Sequence, residues 1–275
     1  MRIAVCISGQ PRTWRTAYKN IKNYFDIENV EVDYFIHTWD TNTYRRKNDT
    51  PDMKQNYKID NNEESEIVKC FNPISIIFEK YDNEKFSYWS PLFYSFMKSV
   101  WQKRKHELEN DFLYDIVIKT RFDINFLQEG ENKVGAPLNK FYIHDINPLV
   151  AYNANELFDR FALEFNSINF DDVFFYSDSH TMDIISNIYW WYNKIIKKGD
   201  NNINKMEWVI DNEFFYGPGA LLYSYLTKYS IHMRCDIVIP YYVVRLEAEE
   251  LKLDSIKEWQ LIKEISHDFY WQLRE

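Results

Sequence analysis

The sequence predicts an α/β protein with a mostly parallel central sheet flanked by helices. Short apolar runs rich in β-formers occur at residues 3–8, 32–37, 74–78 and 114–119. Helical patterns separate two of the pairs, so the order is β-α-β, a loop, then β-α-β. The runs at 3–8, 32–37 and 114–119 each end abruptly in polar residues, as strands do where a sheet meets a ligand.

The first run ends in Gly9-Gln10-Pro11-Arg12, a turn sequence, and residues 13–25 place Trp14, Ala17, Tyr18, Ile21 and Phe25 at helical spacing. The second run, VDYFIH, ends in Thr38-Trp39-Asp40. Residues 41–65 are polar, with Pro51 among them, and read as a loop excursion. Pro73 opens the third strand. Ser90-Pro91 predicts a helix start, Ser as N-cap and Pro in the first turn, continuing to about residue 109. The fourth run, YDIVIK, ends in Thr120-Arg121-Phe122-Asp123.

Further strands are expected at residues 141–143, 173–176 and 237–244, with Pro240 placing the last at an edge or bend. Residues 179–197 carry a helical stripe of Met182, Ile185, Ile188, Tyr189 and Tyr192. A second helix is expected from Asn212-Glu213 through Phe214 and Phe215, interrupted at Gly217-Pro218-Gly219 and resuming over 221–229. Residues 246–275 read as a helical tail. No repeat or linker divides the chain, so one domain over 1–275 is expected.

The composition is globular, with 45% hydrophobic and 27% charged residues. A net charge of -9 argues against the basic footprint of a nucleic-acid binder. Cys6, Cys70 and Cys235 form no CxxC pair, which fits neither a zinc site nor a disulfide framework. The N-terminal apolar run is too short for a signal peptide, and no transmembrane span occurs, so a cytoplasmic protein is expected. Aromatic residues make up 18%, which core packing explains and a ring-lined cleft would also explain.

Four constellations carry chemistry. Ser8-Gly9-Gln10-Pro11-Arg12 offers close backbone approach and a guanidinium for a phosphate, or else is an ordinary turn. It is neither a Walker A loop nor GxGxxG. Arg121 and Asp123 at the fourth strand end could meet a diphosphate and a divalent cation, or else form a surface ion pair. Asp171-Asp172 and Glu213 supply carboxylates for a general base, though strand-entry turns and helix starts also favour acids. His37 could reach a phosphate or metal and Trp39 could stack on a ring, or the cluster caps the next segment. The other histidines show no metal-ligand spacing, and no GxSxG elbow occurs.

Together, ISGQPR, FIHTWD and YDIVIKTRFD resemble a group of GT-A-like glycosyltransferases found in bacterial surface-glycan loci and in viruses. DDVFFYSDSHTMD and the acidic NEFF are similar to that group too, so the resemblance spans about residues 1–245. It implies a Rossmann-like GT-A fold, with a nucleotide-sugar half over about 1–125 and an acceptor half over about 126–245. It implies a UDP- or GDP-type donor seated by Ser8, Gly9, Gln10, Arg12, His37 and Arg121, and a glycan or lipid-linked acceptor. It also implies a metal, Mn or Mg, held after the fourth strand by a DxD motif. Here only the last Asp, Asp123, matches, and Arg121 stands where the first would be. That leaves one metal contact through Asp123, or charge neutralisation by Arg121. Glu213 or Asp172 would be the base of an inverting reaction. A nucleotidyltransferase on a similar sheet, or a non-catalytic nucleotide- or glycan-binding module, are the alternatives.

Overall fold

The computed structural model describes residues 1–44, 55–82, 85–86, 89–126, 141–143, 172–196, 207–210, 213–216, 218–229, 233–234 and 241–243. Strand β1 (Arg2–Gly9) leads through helix α1 (Trp14–Phe25) to β2 (Glu31–Trp39). A hairpin of β3 (Thr41–Tyr44) and β4 (Gln55–Lys58) follows, then α2 (Asn61–Phe71), β5 (Ser75–Glu79), the long α3 (Ser90–Asn110) and β6 (Ile116–Thr120). Next come β7 (Ile124–Phe126), β8 (Phe141–Ile143), β9 (Phe175–Ser177), α4 (Ser179–Ser186) and α5 (Ile188–Ile196). The hairpin of β10 (Glu207–Ile210) and β11 (Glu213–Tyr216), α6 (Pro218–Lys228), β12 (Met233–Arg234) and β13 (Tyr241–Val243) complete the described elements.

Seven strands form the main sheet in the order β12-β8-β9-β6-β1-β2-β5. Its half β6-β1-β2-β5 is wholly parallel. β9 then runs antiparallel to β6 and to β8, which makes the whole sheet mixed. Alternate residues of each strand feed two cores, as the period of two requires. Ile3, Val5, Ile7, Ile36, Ile116 and Ile118 pack on one face with Trp14, Ala17, Ile21 and Phe25 of α1. Ala4, Cys6, Phe35 and Val117 pack on the other with Phe93, Phe96 and Val100 of α3, joined by side chains of α4 to α6.

The structure corrects several sequence expectations. Residues 41–65 are not simply a loop: they hold the β3–β4 hairpin and the start of α2. The helix has its signals, an Asp60 N-cap accepting from Glu63 N–H and an Asn72 C-cap in the left-handed region at φ 46°. Ser90 is the first residue of α3 rather than its cap; Trp89 holds that place and the Ser90 hydroxyl meets Asn193. The stripe over 179–197 is two helices, divided at Asn187. Glu213-Phe214-Phe215 forms β11 instead of opening a helix, because two adjacent aromatic residues suit a paired strand. Helix α6 starts at Pro218, where proline costs no hydrogen bond. Of the strand expected at 237–244, residues 241–243 pair with β7; the tail from 246 lies outside the described residues. Among the described residues, no helix is long and apolar enough to cross a membrane.

Candidate functional site

The parallel half reads β5-β2-β1-β6, so the chain moves outward from β1 in both directions. The chain leaves β1 towards β2 and leaves β6 towards β9, and it is beyond the carboxyl ends of strands at such a reversal that sheets of this kind bind ligands. The register aligns Ser8 with His37, Gly9 with Thr38, and Ile7 with Thr120. The ends of β1, β2 and β6 therefore lie along one edge of the sheet.

Gly9 takes φ 113° at that edge, a conformation in which an L side chain is strained. The space around a Cβ there is open, so backbone conformation is what calls for glycine. Its N–H donates to Ser95 Oγ on α3 at 2.8 Å. Next to it, Gln10 Oε1 accepts from Nε of Arg12, two residues further on, at 3.2 Å.

Arg12 and Arg121 converge on Asp123. Arg121 Nε donates to Asp123 Oδ1 at 2.8 Å and its Nη2 to Oδ2 at 2.6 Å, a bidentate fork. Arg12 Nη1 stands 3.8 Å from Oδ2. The Asp123 side chain is 1% exposed, that of Arg121 19% and that of Arg12 37%. This is not the surface ion pair that the sequence also allowed: the carboxylate is buried and the cations face outward from it.

Beneath the loop lie buried hydroxyls without a hydrogen-bond partner. Thr38 Oγ1 and Thr120 Oγ1 are such atoms, on fully buried residues. Both share the α1-facing alternation of Ile36 and Ile118, and they sit on the strands either side of β1. Asn42, also buried, reaches the Arg12 carbonyl with its Nδ2 at 3.5 Å.

His37 is placed otherwise than the resemblance implies. Odd-numbered residues of β2 face α3, so its ring turns toward that helix. It is fully buried, with Nδ1 2.9 Å from Ser95 Oγ and Nε2 3.1 Å from Glu79 Oε2. Facing a carboxylate, Nε2 keeps the proton, and the one Ser95 hydroxyl proton serves two acceptors, the bare Nδ1 and the His37 backbone carbonyl 3.0 Å away. Burial pushes the imidazolium pKa down to about 4, against the pull of Glu79. Burial would raise Glu79, yet hydrogen bonds from His37 and Tyr94 outweigh it and hold the carboxyl below its usual range. The outcome is a chain from Gly9 N–H through Ser95 and His37 to Glu79, which pins the turn to α3 and β5. Trp39 likewise packs inward, 2% exposed, against Tyr81, Phe86 and Tyr94.

Asp172 is half-buried and enters at the same edge as Arg121, since β9 pairs antiparallel with β6 from Phe175 opposite Lys119. The buried Lys119 ammonium donates to the carbonyls of Asp172 and Val173, which ties that segment to β6. Asp171 lies outside the described residues, and Glu213 is fixed here only by its backbone pairing with Ile210. Ser8 is on the edge but 4% exposed.

Sequence reasoning named Thr38 and Thr120 at the strand ends without giving them a role, and missed Ser95 and Glu79 as parts of this site. Glu79 ends a strand as the others do and was findable by the same rule. Ser95 sits within an apolar helix pattern and carries no such mark.

Among the described residues, the donors around Asp123 do not fit a divalent cation. Mn or Mg needs anionic oxygen at hand, but both Asp123 oxygens are held by Arg121, and the unpartnered atoms nearby are neutral hydroxyls. Among the described residues, no three His, Cys, Asp or Glu side chains gather where they could hold a metal.

The fold is thus a Rossmann-like α/β sheet flanked by helices. No family model matches the chain, and no curated protein matches it. Among solved structures it is similar to a glycosyltransferase involved in the glycosylation of the major capsid of PBCV-1. The two share 9% identity at a TM-score of 0.35, over 75% of this chain and 74% of that one. At that distance the likeness says nothing of this chain's chemistry, which is read from its own residues.

Proposed function

We propose that this chain is a glycosyltransferase that moves a sugar from a nucleoside-diphosphate sugar to a hydroxyl of a glycan or lipid-linked acceptor. The observation that carries this reading is the pairing of Arg12 and Arg121 beside the Gly9 turn at the switch point of the sheet. Two guanidinium groups at the strand ends suit a diphosphate, whose oxygens match their forked donors. Departure of a nucleoside diphosphate builds negative charge on its oxygens, and preorganised cations lower that barrier.

In this reading Gly9 and Gln10 seat the nucleotide by backbone and amide contacts, and Arg12 and Arg121 hold the diphosphate. Asp172, at the same edge, takes the proton from the acceptor hydroxyl. Ser8 and His37 shape the site from beneath it rather than touching the donor.

The test is release of UDP or GDP from a panel of nucleotide-sugars, with and without simple glycoside acceptors. Acceptor-stimulated release is expected, and Asp172→Asn should lower it by about a hundredfold or more while donor affinity holds. Nucleotide binding without release from any donor would instead make the chain a binding module.

A further inference from the structure

We infer that the site binds its diphosphate without a divalent cation, the guanidinium groups of Arg12 and Arg121 taking the metal's place and Asp123 serving as the buried clamp that aims Arg121. That the ligand is a nucleoside diphosphate rests on the function proposed above. How its charge is met rests on the geometry of three side chains.

A metal-binding aspartate must present a lone pair to a cation about 2.0–2.6 Å away. Each Asp123 oxygen is already engaged by Arg121. Asp123 Oδ1 and Oδ2 accept from Nε and Nη2 of one guanidinium, at 2.8 and 2.6 Å. A divalent ion on either oxygen would stand against that cation in a site 1% exposed to water, where repulsion is little screened. Dislodging Arg121 to make room would strand a buried carboxylate, which is strongly unfavourable.

The placement of the cations also suits an anion. The two arginines are the more exposed members of the cluster, and the carboxylate they share lies behind them. An Asp that orients an Arg leaves a rigid planar fork, preorganised for a bidentate partner. The hydroxyls of Thr38 and Thr120, buried without partners on the strands either side of β1, are neutral groups and add no anionic oxygen for a cation. The Arg121-x-Asp123 spacing thus turns a strand end of the metal-binding kind into a cation built from the chain itself.

Calorimetric titration of the full chain with UDP, GDP and inorganic pyrophosphate tests this, first in EDTA and then with Mn²⁺ or Mg²⁺. Binding in EDTA is expected, unchanged within about threefold by either metal. Arg121→Gln and Arg12→Gln should each weaken it by roughly tenfold or more, and Arg121→Lys should not restore it, because an ammonium cannot make the fork. Asp123→Asn should weaken binding through Arg121 and leave it just as indifferent to metal. Binding that requires Mn²⁺ or Mg²⁺ would overturn the inference while leaving the glycosyltransferase reading intact, and the absence of binding in every condition would overturn both. Pyrophosphate binding in EDTA without UDP or GDP binding would keep the cation-free anion site and remove the nucleotide-sugar reading. The parent's response to metal needs no variant, so a variant that fails to fold does not decide the matter.

Discussion

Replacing Ser95 by alanine removes a single oxygen and strands the buried His37 Nδ1 and the part-buried Gly9 N–H. Ser95 Oγ accepts from Gly9 N–H at 2.8 Å and lies 2.9 Å from His37 Nδ1, on a residue fully shielded from solvent. A buried group left without its partner costs about 1–3 kcal/mol. With two such groups, about 3 kcal/mol is expected, which for a domain of this size lowers Tm by roughly 6–12 °C. The control lies one helical turn further on. Ser99 is equally buried, but its hydroxyl meets only the Phe96 carbonyl of its own helix at 2.8 Å. Ser99→Ala should therefore cost under about 1 kcal/mol. Thermal melts and urea titrations at pH 7.5 read both. The functional consequence is separate: with its anchor gone, the Gly9 turn loosens, and Ser95→Ala should weaken UDP or GDP binding even at temperatures where it is fully folded. If Ser95→Ala melts within about 2 °C of Ser99→Ala, the chain of hydrogen bonds from Gly9 to Glu79 is not what holds the turn.

The same chain sets an acid limit on stability. His37 has its pKa lowered by burial to about 4 in the fold, against 6.5 when exposed, so between these values the unfolded chain binds a proton that the folded one refuses. Stability is unaffected by this group above about pH 7 and falls as pH drops from 6.5 through 4, by roughly 3 kcal/mol in all. Lowered Glu79 adds a loss of the same sign at still lower pH. Urea titrations between pH 7.5 and 4.5 check it; a flat profile for the parent, or the same slope in His37→Asn, would refute it. A third expectation concerns the buried ammonium of Lys103, which meets Glu107 at 3.0 Å, Asp183 at 2.6 Å and Ser179 Oγ at 2.7 Å between α3 and α4. Lys103→Met leaves the buried Glu107 with Arg104, 3.7 Å away and half-exposed, as its remaining cation, and should cost about 3 kcal/mol, the low end for a broken buried pair. Adding Glu107→Gln should recover part of that loss in the same urea assay, and no recovery would show that packing rather than charge was lost.

Some of this architecture is written locally and some is not. The apolar β-rich runs of β1, β2, β5 and β6, with helical patterns over α1 and α3, dictate parallel strands because a crossover helix must return the chain to the same end of the sheet. That logic alone brings Gly9, Thr38 and Arg121 to one edge. Helix α2 was illegible for a physical reason: its buried apolar residues are Ile67 and Phe71, too thin a stripe to stand out in a charged segment. Its third buried residue is Glu63, paired with Trp14 Nε1 and Arg15, which are distant in sequence.

The meaning of each polar residue at that edge came only with the tertiary structure. Strand alternation, set by which face α3 covers, turned His37 inward to Ser95 and Glu79, while its neighbour Thr38 lies on the α1 side. The order β5-β2-β1-β6 put Arg12 beside Asp123, although 111 positions separate them. Periodicity and turn chemistry act over a few residues, so the linear pattern already marks which residues stand at strand ends. Whether a charge there is buried, exposed or already paired was decided by partners from other strands and helices, and a linear pattern does not carry those distances.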